Sequence, residues 1–178
     1  MWIAMFSQTG SEIVELSKRL GRWPDLILTN NKDKKTWHKE LQFRSDVVKD
    51  LHDRLVKHIE RQANITGENP FVTLHGYLRI MPDLPYEMLN GHPALCNRYP
   101  ELKGKDPQEL TWHNRKNYKF IGSIVHKVTS EVDGGELVKE VCYTNHIHTR
   151  EDLDITLRRA SLTAWMHVLE EKFGVRSN

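Results

Sequence analysis

The segment "WIAMFSQTGSEIVELSKRL" (residues 2–20) contains the pattern that decides the fold. Its first five residues form a continuous apolar run, which is typical of a strand buried on both faces. The polar loop "SQTGSE" follows, and then Ile13, Leu16 and Leu20 recur at helical spacing until Gly21 ends the helix. A buried strand, a tight loop and a helix in this order predict a parallel α/β sheet.

Two more apolar runs predict strands of the same kind. "DLILTN" (25–30) is short and apolar, and "FVTLHGYLRIM" (71–81) is a strand that runs into a loop. Between them, "RSDVVKDLHDRLVKHIERQ" (44–62) carries apolar residues on one face from Val47 to Ile59. This spacing predicts a long amphipathic helix.

The second half of the chain predicts a hairpin and a terminal helix. "KFIGSIVHKV" (119–128) and "ELVKEVCYTNHIH" (136–148) are two strands, and the Asp-Gly-Gly of the connecting "TSEVDGG" is expected to supply positive φ angles. Thr149 and Asp152 form a capping-box variant for a helix that runs to Gly174. The predicted fold class is α/β, a three-layer, open, mostly parallel twisted sheet that is Rossmann-like, with an antiparallel hairpin.

Composition narrows the class of protein. The 178 residues, 38% hydrophobic and 28% charged, predict a single globular domain over residues 1–178. A net charge of +2 with dispersed lysines and arginines gives no reason to expect a nucleic-acid partner.

The N-terminus is apolar for only about six residues and has no basic lead, so neither a signal peptide nor a membrane span is expected. Two distant cysteines without CxxC spacing indicate free thiols and a cytoplasmic location.

The stretch "MLNGHPALCN" (88–97) places Asn90 and His92 on either side of a glycine at a predicted strand end. One interpretation is an ordinary turn. The other is a cleft in which the amide and a protonated imidazole stabilise charge on a carbonyl oxygen. Asp133 is either a plain hairpin residue or a carboxylate that raises the pKa of a nearby imidazole. His126, at the end of the preceding strand, is close enough through the hairpin to join this group.

Two other polar stretches are weaker candidates. The loop "SQTGSE" precedes a helix, but Glu12 falls in the first helical turn, where its carboxylate satisfies the free amides and repels a phosphate. "HIH" (146–148) puts two imidazoles on one face if it is a strand, but no third ligand is apparent at suitable spacing. No metal is therefore expected.

Three linked segments resemble the folate-dependent formyltransferases, and most closely the small glycinamide ribonucleotide transformylases. They are "LHGYLRIM" (74–81), "LNGHPALCNRYPELKG" (89–104) and "IGSIVHKVTSEVDGGELV" (121–138). In the family these correspond to a glycine-aromatic/Met-Arg-Ile segment, an Asn-x-His-Pro segment, and a Gly-x-x-Val-His strand that leads to Asp-x-Gly. The order and spacing agree over nearly the whole chain.

The resemblance implies a role for each matching residue. The catalytic trio would be Asn90, His92 and Asp133, with His126 in support. The folate pocket would use Leu78, Arg79, Ile80 and Met81 together with Thr129, Ser130, Glu131 and Val132, and Arg44 would face the glutamate tail. The acceptor would meet Thr9, Gly10, Ser11, Glu12 and Thr163.

The implied reaction is transfer of a formyl group from 10-formyltetrahydrofolate to a primary amine, which belongs to one-carbon metabolism and purine biosynthesis. Asn90 and the His92 imidazolium would stabilise the oxyanion, and Asp133 would keep His92 protonated and relay the proton of the amine through water. The implied partner is a small-molecule amine, with no membrane, and the chain is expected to be a monomer or homodimer.

The acceptor half departs from the family pattern. The family's Gly-x-Gly-Ser-Asn loop reads Gln8 to Glu12 here, and Thr163 stands where a glutamate binds the ribose. Glycinamide ribonucleotide is the first candidate acceptor, and another amine on a nucleotide, sugar or amino acid is the alternative. Two other functions remain open: a 10-formyltetrahydrofolate hydrolase and a non-catalytic folate-binding protein.

Overall fold

A computed structural model describes residues 1–175 of the chain. Within these residues the strands are β1 Trp2–Phe6, β2 Leu26–Thr29, β3 Val47–Lys49, β4 Phe71–His75, β5 Glu87–His92, β6 Phe120–Lys127 and β7 Leu137–Thr144. The α-helices are α1 Ser11–Leu20, α2 His52–Thr66, α3 Pro107–Asn114 and α4 Arg150–Phe173. Short 3-10 helices occupy Lys34–Thr36, Lys39–Phe43, Pro100–Leu102 and Arg115–Asn117.

The strands form a seven-stranded sheet in the order β3-β2-β1-β4-β5-β6-β7. β1 pairs in parallel with β2 on one side and with β4 on the other, and β2 pairs in parallel with β3. β6 and β7 pair antiparallel. The predicted α/β class, mostly parallel with an antiparallel hairpin, is therefore confirmed.

The first of two compact units is Met1–Asn90. All five residues of β1 are buried, as its uninterrupted apolar sequence predicts. α1 turns a face that includes Ile13 and Val14 into a cluster with Trp37 and Leu41. The helix ends at Gly21, whose positive φ of 66° permits a left-handed cap.

The sequence predicts the start of the second helix too early, near Val47. Val47 and Val48 belong to β3, in parallel register with Ile27 and Leu28, and α2 begins only at His52. Two adjacent β-branched residues favour a strand and pair with the edge of β2, which outweighs the helical spacing of the apolar residues that follow.

The second unit is Gly91–Asn178. α4 begins at a capping box in which Thr149 and Asp152 exchange hydrogen bonds, and it ends before Gly174, so both predicted boundaries are confirmed. "HIH" is not part of a strand, because β7 ends at Thr144. Residues 97–118, for which the sequence predicts no element, contain α3 with Pro107 in its first turn.

Within the Asp-Gly-Gly of the hairpin, the positive φ comes from the aspartate and not from the glycines. The left-handed residue is Asp133, with φ 49°, and neither Gly134 nor Gly135 has a positive φ. Gly135 is needed for space instead, because a Cβ there would lie 1.8 Å from the carbonyl oxygen of Lys127. Aspartate tolerates the left-handed conformation better than most residues.

No α-helix within residues 1–175 is both long enough and apolar enough to cross a membrane.

Candidate active site

The end of β5 presents two polar side chains on one face of the strand. Asn90 and His92 are two residues apart, and alternate residues of a strand face the same way. Gly91 faces the opposite way, where a Cβ would lie 2.4 Å from Nε1 of the fully buried Trp165. The glycine of "NGH" is therefore required by the α4 side chain that packs over it.

A buried carboxylate lies between two imidazoles in the second unit. Asp133 Oδ2 is 3.3 Å from His92 Nδ1, and Asp133 Oδ1 is 3.2 Å from His126 Nε2. All three side chains are less than a tenth exposed. β5 supplies His92, β6 supplies His126, and the loop between β6 and β7 supplies Asp133. We call these three residues the His–Asp–His cluster.

Each imidazole of the cluster is anchored on a backbone carbonyl through its far nitrogen. His92 Nε2 is 2.7 Å from the Leu102 oxygen, and His126 Nδ1 is 2.9 Å from the Lys127 oxygen. Since a carbonyl can only accept, these far nitrogens carry protons. The near nitrogens are therefore where each ring gains its second proton, and both face the one carboxylate of Asp133.

Burial and charge act in opposite directions on this cluster. Burial lowers the pKa of the His92 imidazole below its ordinary 6.5, although the Asp133 carboxylate and the Leu102 carbonyl act to raise it. The charge of His126 also lowers the His92 pKa. For Asp133, burial acts to raise the pKa, but hydrogen bonding to His126 and the charge of His92 outweigh it. The pKa of Asp133 stays below its ordinary range, so this carboxyl is ionised at neutral pH.

A backbone hydrogen bond also holds the Asp133 carboxylate in place. The Gly104 N–H donates to Oδ2 over 2.8 Å. The neighbouring Cys96 is not a nucleophile at neutral pH, because burial and the Asp133 charge raise the pKa of its thiol to about 11. The thiol therefore takes no part in proton exchange at this cluster near neutrality.

The residues predicted to bind folate lie in two exposed loops. In the first unit, Leu78 and Ile80 follow β4 and are each 68% exposed, Arg79 is exposed, and Met81 is buried. The Leu78 N–H donates to Ser7 Oγ over 2.9 Å, which ties this loop to the end of β1. The second loop joins β6 to β7 in the second unit. Its predicted folate-binding residues are all exposed: Thr129, Ser130, Glu131 and Val132.

Arg44 is predicted to lie at the start of the long helix, but the structure does not place it there. It precedes β3, where its guanidinium pairs with Asp46 and stacks 3.8 Å from the centre of the Trp23 ring. These contacts hold the guanidinium against its own unit, because both the charge and the planar face of the side chain are in use.

The predicted acceptor loop contains a hydrogen-bonded pair that the sequence does not reveal. Gly10, with φ 70°, precedes α1 and makes no side-chain cap. Thr9 Oγ1 accepts from the Ser11 N–H over 3.2 Å. The Glu12 carboxylate is 2.8 Å from Nδ1 of His75, the last residue of β4. Thr163 lies half-buried on α4 in the other unit.

His146 and His148 line a surface cavity of about 320 Å³ together with Arg115, Lys116, Asn145 and Ile147. Residues 1–175 contain no group of three or more histidine, cysteine or acidic side chains placed to hold a metal ion.

An open α/β sheet with a buried histidine–carboxylate cluster at a strand end is typical of enzymes. A family model described as formyl transferase matches residues 8–169. The chain belongs to the formyl transferase family.

Solved structures agree with this fold. A phosphoribosylglycinamide formyltransferase from Campylobacter jejuni subsp. jejuni NCTC 11168 is 20% identical, with a TM-score of 0.79 over 97% of this chain and 96% of its own. One from Streptococcus pneumoniae TIGR4 is 18% identical, with a TM-score of 0.75 over 97% and 98%. A formyltetrahydrofolate deformylase from Pseudomonas syringae pv. tomato str. DC3000 is 16% identical, with a TM-score of 0.70 over 94% of this chain and 59% of its own. No curated protein sequence matches the chain.

Family membership confirms the prediction of a formyltransferase enzyme and supports a folate as its cosubstrate. Sequence analysis does not predict four residues that contact these sites: Trp165, Leu102, Gly104 and His75. Among them, only His75 has a local signal, since it is a polar residue at the end of an apolar run.

Proposed function

We propose that this chain transfers the formyl group of 10-formyltetrahydrofolate to a primary amine, with Asn90, His92 and Asp133 as the catalytic residues. The observation that carries the proposal is the His–Asp–His cluster, whose His92 ends β5 two residues after Asn90. A buried carboxylate held between two imidazoles can take up and pass on a proton beside the reacting group.

In the proposed reaction the neutral amine attacks the formyl carbon, and the new C–N bond forms as an oxyanion develops on the formyl oxygen. The side-chain amide of Asn90 donates a hydrogen bond to that oxygen. His92 contributes positive charge in its doubly protonated form, which burial makes the minor form at neutral pH. In that form its Nδ1–H is the one that the substrate oxygen can share, because the Asp133 contact is long at 3.3 Å. The intermediate collapses when the bond between the formyl carbon and N10 of the folate breaks.

The proton lost by the amine passes through a water to Asp133, which passes it on to N10 of the leaving tetrahydrofolate. His126 is a positioning residue, since it holds Oδ1 of Asp133 while Oδ2 faces His92. Removing one donor from an oxyanion site costs on the order of 3 kcal/mol in the barrier.

The folate is proposed to contact the exposed apolar side chains of Leu78 and Ile80, with Arg79 near its charged end. For Val132, in the second unit, folate contact stays the prediction that the family resemblance makes. Leu78 and Ile80 are each 68% exposed. A flat aromatic ring system that covers these side chains would remove their apolar surface from water, which favours binding. Arg44 remains a proposal for the glutamate tail, and binding there requires the guanidinium to share or release Asp46.

Glycinamide ribonucleotide is the first candidate acceptor, since structural neighbours carry that activity in their names. A different primary amine is the alternative. The named deformylase among the neighbours supports hydrolysis of the same folate as a second candidate function.

The experiment is an assay of 10-formyltetrahydrofolate consumption with and without a panel of primary amines, for the wild type and for His92→Ala. We expect amine-dependent release of tetrahydrofolate that His92→Ala reduces by about 10²–10³-fold. Formate release without an amine would favour the hydrolase. Equal background rates in both proteins would favour a non-catalytic folate-binding protein.

A further inference from the structure

The Glu12–His75 pair lies at the point of the sheet where ligands of open α/β proteins bind. From β1 the chain passes through α1 to β2 on one side, and β4 lies on the other side of β1. This change of direction makes the carboxyl ends of β1 and β4 the topological switch point. Glu12 lies in the first turn after β1, and His75 ends β4.

A chain of buried hydrogen bonds continues from this pair into the core of the first unit. His75 Nε2 is 2.9 Å from Thr73 Oγ1, and the Trp2 indole N–H donates to the same oxygen over 2.9 Å. Because an indole can only donate, Thr73 Oγ1 accepts from Trp2, and the same hydroxyl is hydrogen-bonded to His75 Nε2. An ionised Glu12 carboxylate can only accept, so His75 Nδ1–H is the donor to it.

The carboxylate therefore stands where an anionic ligand would meet the start of α1. The free amides of a helix N-terminus attract anions, and here Glu12 is a fixed anion in that first turn. Its side chain is 26% exposed, so a ligand that enters the switch point reaches it. The His75 side chain is fully buried and holds Glu12 in this position.

We infer that Glu12 selects an acceptor amine that carries no phosphate at the switch point and instead offers a hydroxyl or ammonium donor to the carboxylate. The inference rests on the proposed function, because it concerns the second substrate of the same reaction. It favours the alternative acceptor class over glycinamide ribonucleotide, since a phosphate dianion beside a carboxylate is repelled.

The experiment measures binding without turnover. Glycinamide ribonucleotide and its dephosphorylated riboside are titrated by calorimetry into the wild type, Glu12→Gln and the control Glu15→Gln. Glutamine keeps the shape and the hydrogen bond from His75 but removes the charge. Glu15 lies on the same helix and pairs with Arg19 instead.

We expect Glu12→Gln to bind the ribonucleotide about tenfold tighter than the wild type, or more, since one unit charge is removed a few ångströms from the phosphate. Glu15→Gln should match the wild type, and the riboside should show no comparable gain. Thermal melting checks that Glu12→Gln is folded, and Glu12→Asn provides a second uncharged variant.

Equal ribonucleotide affinity in the wild type and both Glu12 variants, including no binding in any of them, would overturn the inference. Tighter binding of the ribonucleotide than of the riboside by the wild type would do the same. Failure of the proposed function has a separate signature, because amine-dependent consumption of the folate would be missing whatever the phosphate titration shows.

Discussion

The indole of Trp165 occupies the space above Gly91, between the two residues proposed to stabilise the oxyanion. A Cβ on residue 91 would lie 2.4 Å from Nε1 and 3.0 Å from Cε2 of that ring. Trp165 is fully buried on α4, so the ring has little room to move. The geometry at Gly91 and His92 therefore depends on α4, a helix near the far end of the same unit.

Gly91→Ala is expected to destabilise the protein by about 1–3 kcal/mol through overpacking and to reduce turnover by displacing the end of β5. Urea unfolding measures the first effect. The control is a double-mutant cycle with Trp165→Phe, which removes the clashing nitrogen: the cost of the alanine should fall in that background. An equal cost in both backgrounds would show that Trp165 is not the cause.

Gly134 and Gly135 offer a matched pair in the loop that carries Asp133. A Cβ at residue 135 would lie 1.8 Å from a backbone oxygen, whereas one at residue 134 would meet only the flexible side chain of Glu131. Gly135→Ala should therefore displace the loop and reduce turnover at least tenfold, in the range of about 1–3 kcal/mol for overpacking. Gly134→Ala should have a much smaller effect. Steady-state kinetics on both variants tests this, and similar losses would contradict it.

The His92 pKa should move in opposite directions when its two charged neighbours are changed. Asp133→Asn removes the charge that raises it, so the pKa should fall farther below 6.5. His126→Gln removes a charge that lowers it, so the pKa should rise. NMR titration of the imidazole Cε1–H signals measures both shifts, with the exposed His113→Gln as the control. Shifts of the same sign in both variants would refute this electrostatic description.

Acid should destabilise the protein in two pH windows. Below about 6.5 the unfolded chain takes up a proton at His92 before the folded protein does, because burial lowers the folded pKa. The Asp133 contribution is present above its ordinary pKa of 3.8 and is lost as pH falls through the lower folded value. The difference in the free energy of unfolding between wild type and Asp133→Asn should therefore shrink as the pH falls below 3.8. A difference that stays constant with pH would exclude this role for the carboxylate.

The sequence predicts the elements whose signal is local. β1 and α1 follow from a continuous apolar run and a helical repeat, and α4 follows from the Thr149–Asp152 capping box and Gly174. Val47 and Val48 were missed because their spacing also fits the helix that follows, and only pairing with β2 decides between the two.

The candidate site was predicted unevenly for a similar reason. Asn90, His92 and Asp133 lie in short segments that resemble a known family, so their order and spacing were sufficient to select them. The Glu12–His75 hydrogen bond joins residues 63 positions apart, and no local pattern predicts it. The same is true of the Leu102 carbonyl, because a backbone oxygen leaves no mark in a sequence.

The most direct test is a kinetic double-mutant cycle of formyl transfer with His92→Ala, Asp133→Asn and the double variant. The imidazole and the carboxylate lie 3.3 Å apart and are proposed to act as one unit. Each single variant should therefore lose about 10²–10³-fold in kcat, and the double variant should lose little more. Single variants within threefold of the wild type, or losses that multiply in the double variant, would contradict a shared role at the formyl carbon.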